Sequence, residues 1–131
     1  MTGDASDRAA LVTLTVVQVV MLGALFAGVP PHPPETTPLF GMAPFLAASI
    51  AASISAVIVG RESGFAGRIL FLAGAILALV SFGPHKYFDA QFPLIWPAVV
   101  SGQIAVVTIL IGFFKKGVPN DRKGHGGAPQ Q

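Results

Sequence analysis

Cysteine is missing from the 131-residue chain, and charge is scarce. Without a thiol there is no disulfide, zinc–thiolate site, iron–sulfur cluster, c-type haem attachment or cysteine nucleophile. Asp, Glu, Lys and Arg together make up 11% of the residues, where a soluble domain carries about 25%. Hydrophobic residues make up 53%, and mean hydropathy is +0.70. These values exclude a disordered chain and argue against an ordinary soluble enzyme. No phosphate-binding glycine loop of the P-loop or Rossmann type occurs. No His, Asp, Glu, Lys or Arg lies deep in an apolar run, so the chain by itself offers neither axial ligands for a membrane b-haem nor a buried proton relay. A serine nucleophile would find no base at that depth. The expectation is therefore a protein with no catalytic residues, no metal and no cofactor of its own.

Long apolar runs are what the chain does have. The few charges and imidazoles leave four stretches free of both, at residues 9–31, 36–60, 69–84 and 90–114. A transmembrane helix needs roughly 20 mostly apolar residues to cross about 30 Å of hydrocarbon. The first, second and fourth stretches reach that length. The third would span only about 24 Å as a helix, but Arg68 and Lys86 at its two ends can lay their aliphatic stems along the apolar zone. Four fully buried helices with almost no polar shell have no soluble solution at this chain length. The fold expected is an all-α, integral-membrane four-helix bundle, with helices at about 9–29, 39–60, 65–83 and 91–114. The first run could instead be read as a signal peptide. Against that, it is longer than a typical apolar signal core, its leading segment carries Asp4 and Asp7, and no clear small-x-small cleavage site ends it.

The basic residues orient these spans. Arg8, Arg61, Arg68, Lys115, Lys116, Arg122 and Lys123 fall on one side of a four-span arrangement, and Lys86 alone falls on the other. By the positive-inside rule both termini are expected in the cytoplasm, at the cell inner membrane, and only an even number of spans gives this separation. The net charge of +2 then reflects topology, and no nucleic acid partner is implied. Residues 117–131 are rich in Gly, Pro and polar side chains and are expected to be a disordered cytoplasmic tail. The first loop has five prolines between Val29 and Pro38, which should stiffen it on the outer face.

Helix packing is written in small residues. The second helix carries them four apart in three rows: Ala47/Ala51/Ser55, Ala48/Ala52/Ala56 and Ser49/Ser53. The third has Gly74 with Ala78, and the fourth has Ala98 with Gly102. Such rows let backbones approach closely in lipid. The second helix is expected to sit centrally, with Ala48, Ala52, Ser55, Gly74 and Gly102 at helix contacts, or at a surface for another subunit. Gln18 and Gln103 share a depth near the membrane midplane if the first and fourth helices are antiparallel. They are expected to pair between helices, or to line a polar path. Pro44, Pro93 and Pro97 enter the first turns of their helices, and Pro97 is a candidate kink. Trp96, Tyr87 and Phe92 suit an interfacial aromatic belt.

Two further patterns carry less weight. At an offset of 53 residues Arg8 aligns with Arg61, Pro31-His32 with Pro84-His85, and Pro44 with Pro97, which suggests a pair of related hairpins. All transmembrane hairpins share basic ends and proline-bearing loops, so the likeness has a simpler explanation too. The clustered polar groups of the outer face are His32, Glu35, His85 and Asp89, beside Lys86 and Tyr87. Imidazoles and carboxylates are donors for a divalent metal, but their spacing matches no metal motif, and loop structure or partner contact is the expected role. No motif ties the chain to a known family. The reading that fits is a small accessory or assembly subunit of a larger membrane complex, for example an energy-transducing one, touching the lipid bilayer and other membrane subunits or its own copies. The alternative is a self-assembling small transporter or channel subunit.

Overall fold

The structure, a computed structural model, describes residues 2–29 and 39–115. His32 and Glu35 of the first loop, and the tail after Lys115, lie outside the described residues. Four helices follow one another: α1 (Thr2–Ala27), α2 (Leu39–Val59), α3 (Phe65–Phe82) and α4 (Phe92–Lys115), with a 3₁₀ turn (Pro84–Phe88) between α3 and α4. Among the described residues there is no strand. Each helix is long and apolar enough to cross a membrane, and together they make an all-α four-helix bundle. The helices pack in a ring in chain order: α1 touches α2 and α4, and α3 touches α2 and α4. Across the ring, α1 also meets α3.

The helix ends follow from local chemistry. At the end of α1, Gly28 takes a left-handed conformation (φ 62°). Its N–H donates to the Leu25 carbonyl, and the Val29 N–H donates to that of Ala24. This is the Schellman arrangement, which needs a residue without a Cβ penalty and satisfies carbonyls that lipid cannot. Gly60 ends α2 in the same left-handed region at φ 74°, but by the simpler αL motif, with its N–H donating to the Ala56 carbonyl. The turn into α3 is tight because a Cβ on Gly67 would collide with the Gly60 carbonyl. Inside the spans, the Thr13, Thr15, Ser101 and Thr108 hydroxyls donate to carbonyls one turn back, which hides their polarity from hydrocarbon.

The core is built from Leu11 and Leu14 of α1, Ala56 of α2, Phe71, Ala75 and Ala78 of α3, and Ala105, Val106 and Ile109 of α4. Helix α1 starts at Thr2, well before the expected residue 9, and its buried face runs Asp7, Leu11, Leu14, Gln18 and Leu25. That spacing puts all five on one stripe. The expected packing of α2 needs correction. Its buried face is Leu46, Ser49, Ser53 and Ala56, whereas Ala48 is exposed and Ala52 and Ser55 are only partly buried. Helix α2 meets only α1 and α3, whereas α1 and α3 also meet each other across the ring, so α2 is not central. Gly74 and Gly102 do lie at helix contacts: a Cβ on Gly74 would sit 3.2 Å from Ser53 Oγ, and one on Gly102 3.0 Å from Phe82 Cβ.

Candidate functional site

Polar side chains gather at two ends of the bundle. At the end that carries Arg8, Arg68 and Lys115, Arg61 Nη1 lies 2.7 Å from Asp7 Oδ2, with side chains only 7% and 4% exposed. The guanidinium also sits 5.9 Å from the centre of the Phe71 ring. Helix α4 presses on this pair through Gly112: a Cβ there would lie 2.5 Å from Asp7 Oδ1 and 2.9 Å from Arg61 Nη1. One ion pair thus joins α1 to the α2–α3 turn, and α4 closes over it. A buried pair of this kind adds little net stability, but removing one partner leaves the other charge uncompensated. The sequence alone marks neither residue as a site.

At the opposite end, Asp89 organises the entry to α4. Its Oδ1 accepts from the Gln91 N–H at 2.9 Å, and its Oδ2 accepts from Lys86 Nζ at 3.2 Å. The Gln91 N–H holds the Asp89 carboxyl below the usual carboxylate range, with partial burial opposing and Lys86 reinforcing the shift. Of the expected outer cluster, Asp89 therefore bonds to Lys86 and Gln91, while the His85 ring stands next to the Gly83 backbone. Tyr87 and Phe92 pack with ring centres 5.0 Å apart.

Gln18 and Gln103 do not bond to each other. Gln103 Nε2 donates to the Phe82 carbonyl at 3.1 Å, and its Oε1 accepts from the Tyr87 hydroxyl at 2.9 Å. It thereby caps a carbonyl left open at the end of α3. Gln18 is fully buried, and neither atom of its amide has a partner among the described residues. The expected Gln18–Gln103 pair is thus replaced by a Gln103–Phe82–Tyr87 tie. Equal depth does not fix the face of the helix on which a side chain lies. Ser49, Ser53 and Ser81 are buried and equally unpartnered.

Near Asp89, a cleft of about 260 Å³ lies between α1, the end of α3 and the start of α4, and Ser81, Lys86, Asp89 and Gln91 are its polar lining. No family, no curated protein sequence and no solved structure matches the chain, so its own residues carry the functional reading.

Proposed function

We propose that this membrane protein is an accessory or assembly subunit of a larger inner-membrane complex, with its Asp7–Arg61 end in the cytoplasm. The observation that carries the reading is the outward stripe of α2. Gly41, Pro44, Ala48, Ala52 and Ser55 fall on one side of that helix, and all are exposed or only partly buried within the chain. Small residues on a lipid-facing side leave a shallow groove into which another helix can seat its backbone. The bundle interior supports a scaffolding role, because Leu11, Leu14, Leu46, Val99, Val106 and Ile109 fill it. The excess of basic residues at one end supports the orientation.

Extraction in mild detergent followed by native mass analysis tests this. The reading expects this chain in a particle with other membrane proteins, and Ala48→Leu should release it from that particle while its helical content is kept. A monodisperse particle of this chain alone would contradict it. The alternative, a self-assembling transporter or channel subunit, draws on the buried polar side chains Gln18, Ser49 and Ser53. Solute flux in proteoliposomes that contain only this chain would favour it.

A further inference from the structure

Helix α3 stops inside the apolar zone. Lys115 is the last residue of α4. Counting about 30 Å of hydrocarbon back along α4 from there, at about 1.5 Å per residue, reaches roughly residue 95. Trp96 sits at that level, where an interfacial tryptophan belongs. Phe82 ends α3 against Gly102 of α4, which is roughly 10 Å short of that level. Gln103, midway along the 24 residues of α4, holds both sides of the connection that follows. Its Nε2 donates to the Phe82 carbonyl, and its Oε1 accepts from the Tyr87 hydroxyl at 2.9 Å. The 3₁₀ turn Pro84–Phe88 therefore leaves α3 at membrane depth. The apolar stretch continues through it, since Phe65–Phe88 is long and apolar enough to make a single span.

We propose that this turn is immersed in the leaflet opposite the Arg8, Arg68 and Lys115 end, with Phe88 against the acyl chains. A turn can lie at such depth only if the protein satisfies its polar groups. Here the Lys86 N–H donates to the Gly83 carbonyl, and the Asp89 N–H donates to that of Lys86. The charges of Lys86 and Asp89 are spent on each other at 3.2 Å, and Tyr87 spends its hydroxyl on Gln103. The remaining polar side chain, His85, stands against the Gly83 backbone. Phe88 by contrast is 93% exposed. A phenylalanine so bare is unfavourable in water and at home in lipid. Ala90, just before α4 starts at Phe92, lies past the hydrocarbon and back in water. The inference follows from helix lengths, and stands apart from the subunit reading and from which face is cytoplasmic.

A single tryptophan can report the depth. Trp96→Phe removes the only tryptophan of the chain. Phe88→Trp then places one in the turn, and Ser63→Trp places one in the α2–α3 connection at the opposite end, where Ser63 is exposed. The full chain would be held in phosphatidylcholine nanodiscs, with or without bromine on the acyl chains, and titrated with iodide. Phe88→Trp should lose most of its emission to the brominated lipid, and iodide should quench it several-fold less than it quenches Ser63→Trp. Should Trp96→Phe not fold, an environment-sensitive dye on Phe88→Cys gives the same comparison, its emission expected to the blue of the same dye on Ser63→Cys. Equal iodide quenching of Phe88→Trp and Ser63→Trp would place the turn in water and overturn the proposal. Protection from iodide without any bromine effect would overturn it equally, because another segment or a second copy would then cover Phe88.

Discussion

Asp7 and Arg61 sit 54 residues apart in the chain and meet at 2.7 Å, their side chains almost wholly buried. The contact fixes the start of α1 against the turn between α2 and α3. Asp7→Asn takes the carboxylate away from a buried guanidinium and should destabilise by roughly 3–5 kcal/mol. Replacing both, as Asp7→Asn with Arg61→Gln, should lose much less than the sum of the single variants. Thermal unfolding in detergent checks this, and additive losses would mean that the pair is not coupled.

Gly112 tests the same contact from α4. A methyl group there would meet Asp7 Oδ1 at 2.5 Å and Arg61 Nη1 at 2.9 Å, so Gly112→Ala should destabilise by about 1–3 kcal/mol through overpacking. Gly23 and Gly41 also lie within helices, but a Cβ at either would meet nothing within 4 Å. Gly23→Ala and Gly41→Ala should therefore be neutral, or stabilise by up to about 1 kcal/mol from backbone entropy and helix propensity. A single melting series over the three variants gives the comparison.

The two glutamines should respond in opposite directions. Gln103→Leu leaves the Phe82 carbonyl and the Tyr87 hydroxyl without partners and should lose about 1–3 kcal/mol. Tyr87→Phe should be milder and should couple to it in a double-mutant cycle. Gln18→Leu removes an amide that has no partner among the described residues and should be neutral or stabilising in the isolated chain. A clear loss of stability for Gln18→Leu would mean that its amide is satisfied inside the bundle after all.

Asp89 gives the pH dependence. Its folded carboxyl lies below the usual range, mainly through the Gln91 N–H. A depressed carboxyl stabilises the folded state above its unfolded pKa, and that contribution fades as pH falls through the lower folded value. Melting temperature should therefore drop on acidification below the ordinary carboxylate range, and Asp89→Asn should flatten that part of the profile. An unchanged profile would mean that the Gln91 contact does not favour the charged form.

The spans were legible because apolar length and charge spacing are one-dimensional properties. Phe65 starts α3 where Arg68 had to be carried inside a short run, and α2 and α4 lie within a residue or so of their expected limits. What was hidden is azimuthal. Every row of small residues on α2 looked equally fit for packing, yet Ser49 and Ser53 face inward while Ala48 faces out. The discriminating signal is Leu46, which shares the buried face with the serines and not with Ala48. Asp7 was read as a charge of the leading segment, although its spacing from Leu11, Leu14 and Gln18 places it on one apolar stripe. An acidic residue there calls for a cation from the adjoining end of the bundle, which Arg61 supplies. The cleft is foreshadowed only by the shortness of the third run, which snorkelling at Arg68 and Lys86 also explains.

The orientation we propose for the four-span bundle puts its Asp7–Arg61 end in the cytoplasm. The chain has no cysteine of its own, so single cysteines can be placed directly at Ser63 and Ala90, both exposed and at opposite ends. In intact cells a membrane-impermeant maleimide should label Ala90→Cys and leave Ser63→Cys unlabelled until the membrane is broken. Labelling of Ser63→Cys in intact cells, with Ala90→Cys protected, would invert the topology and contradict the account.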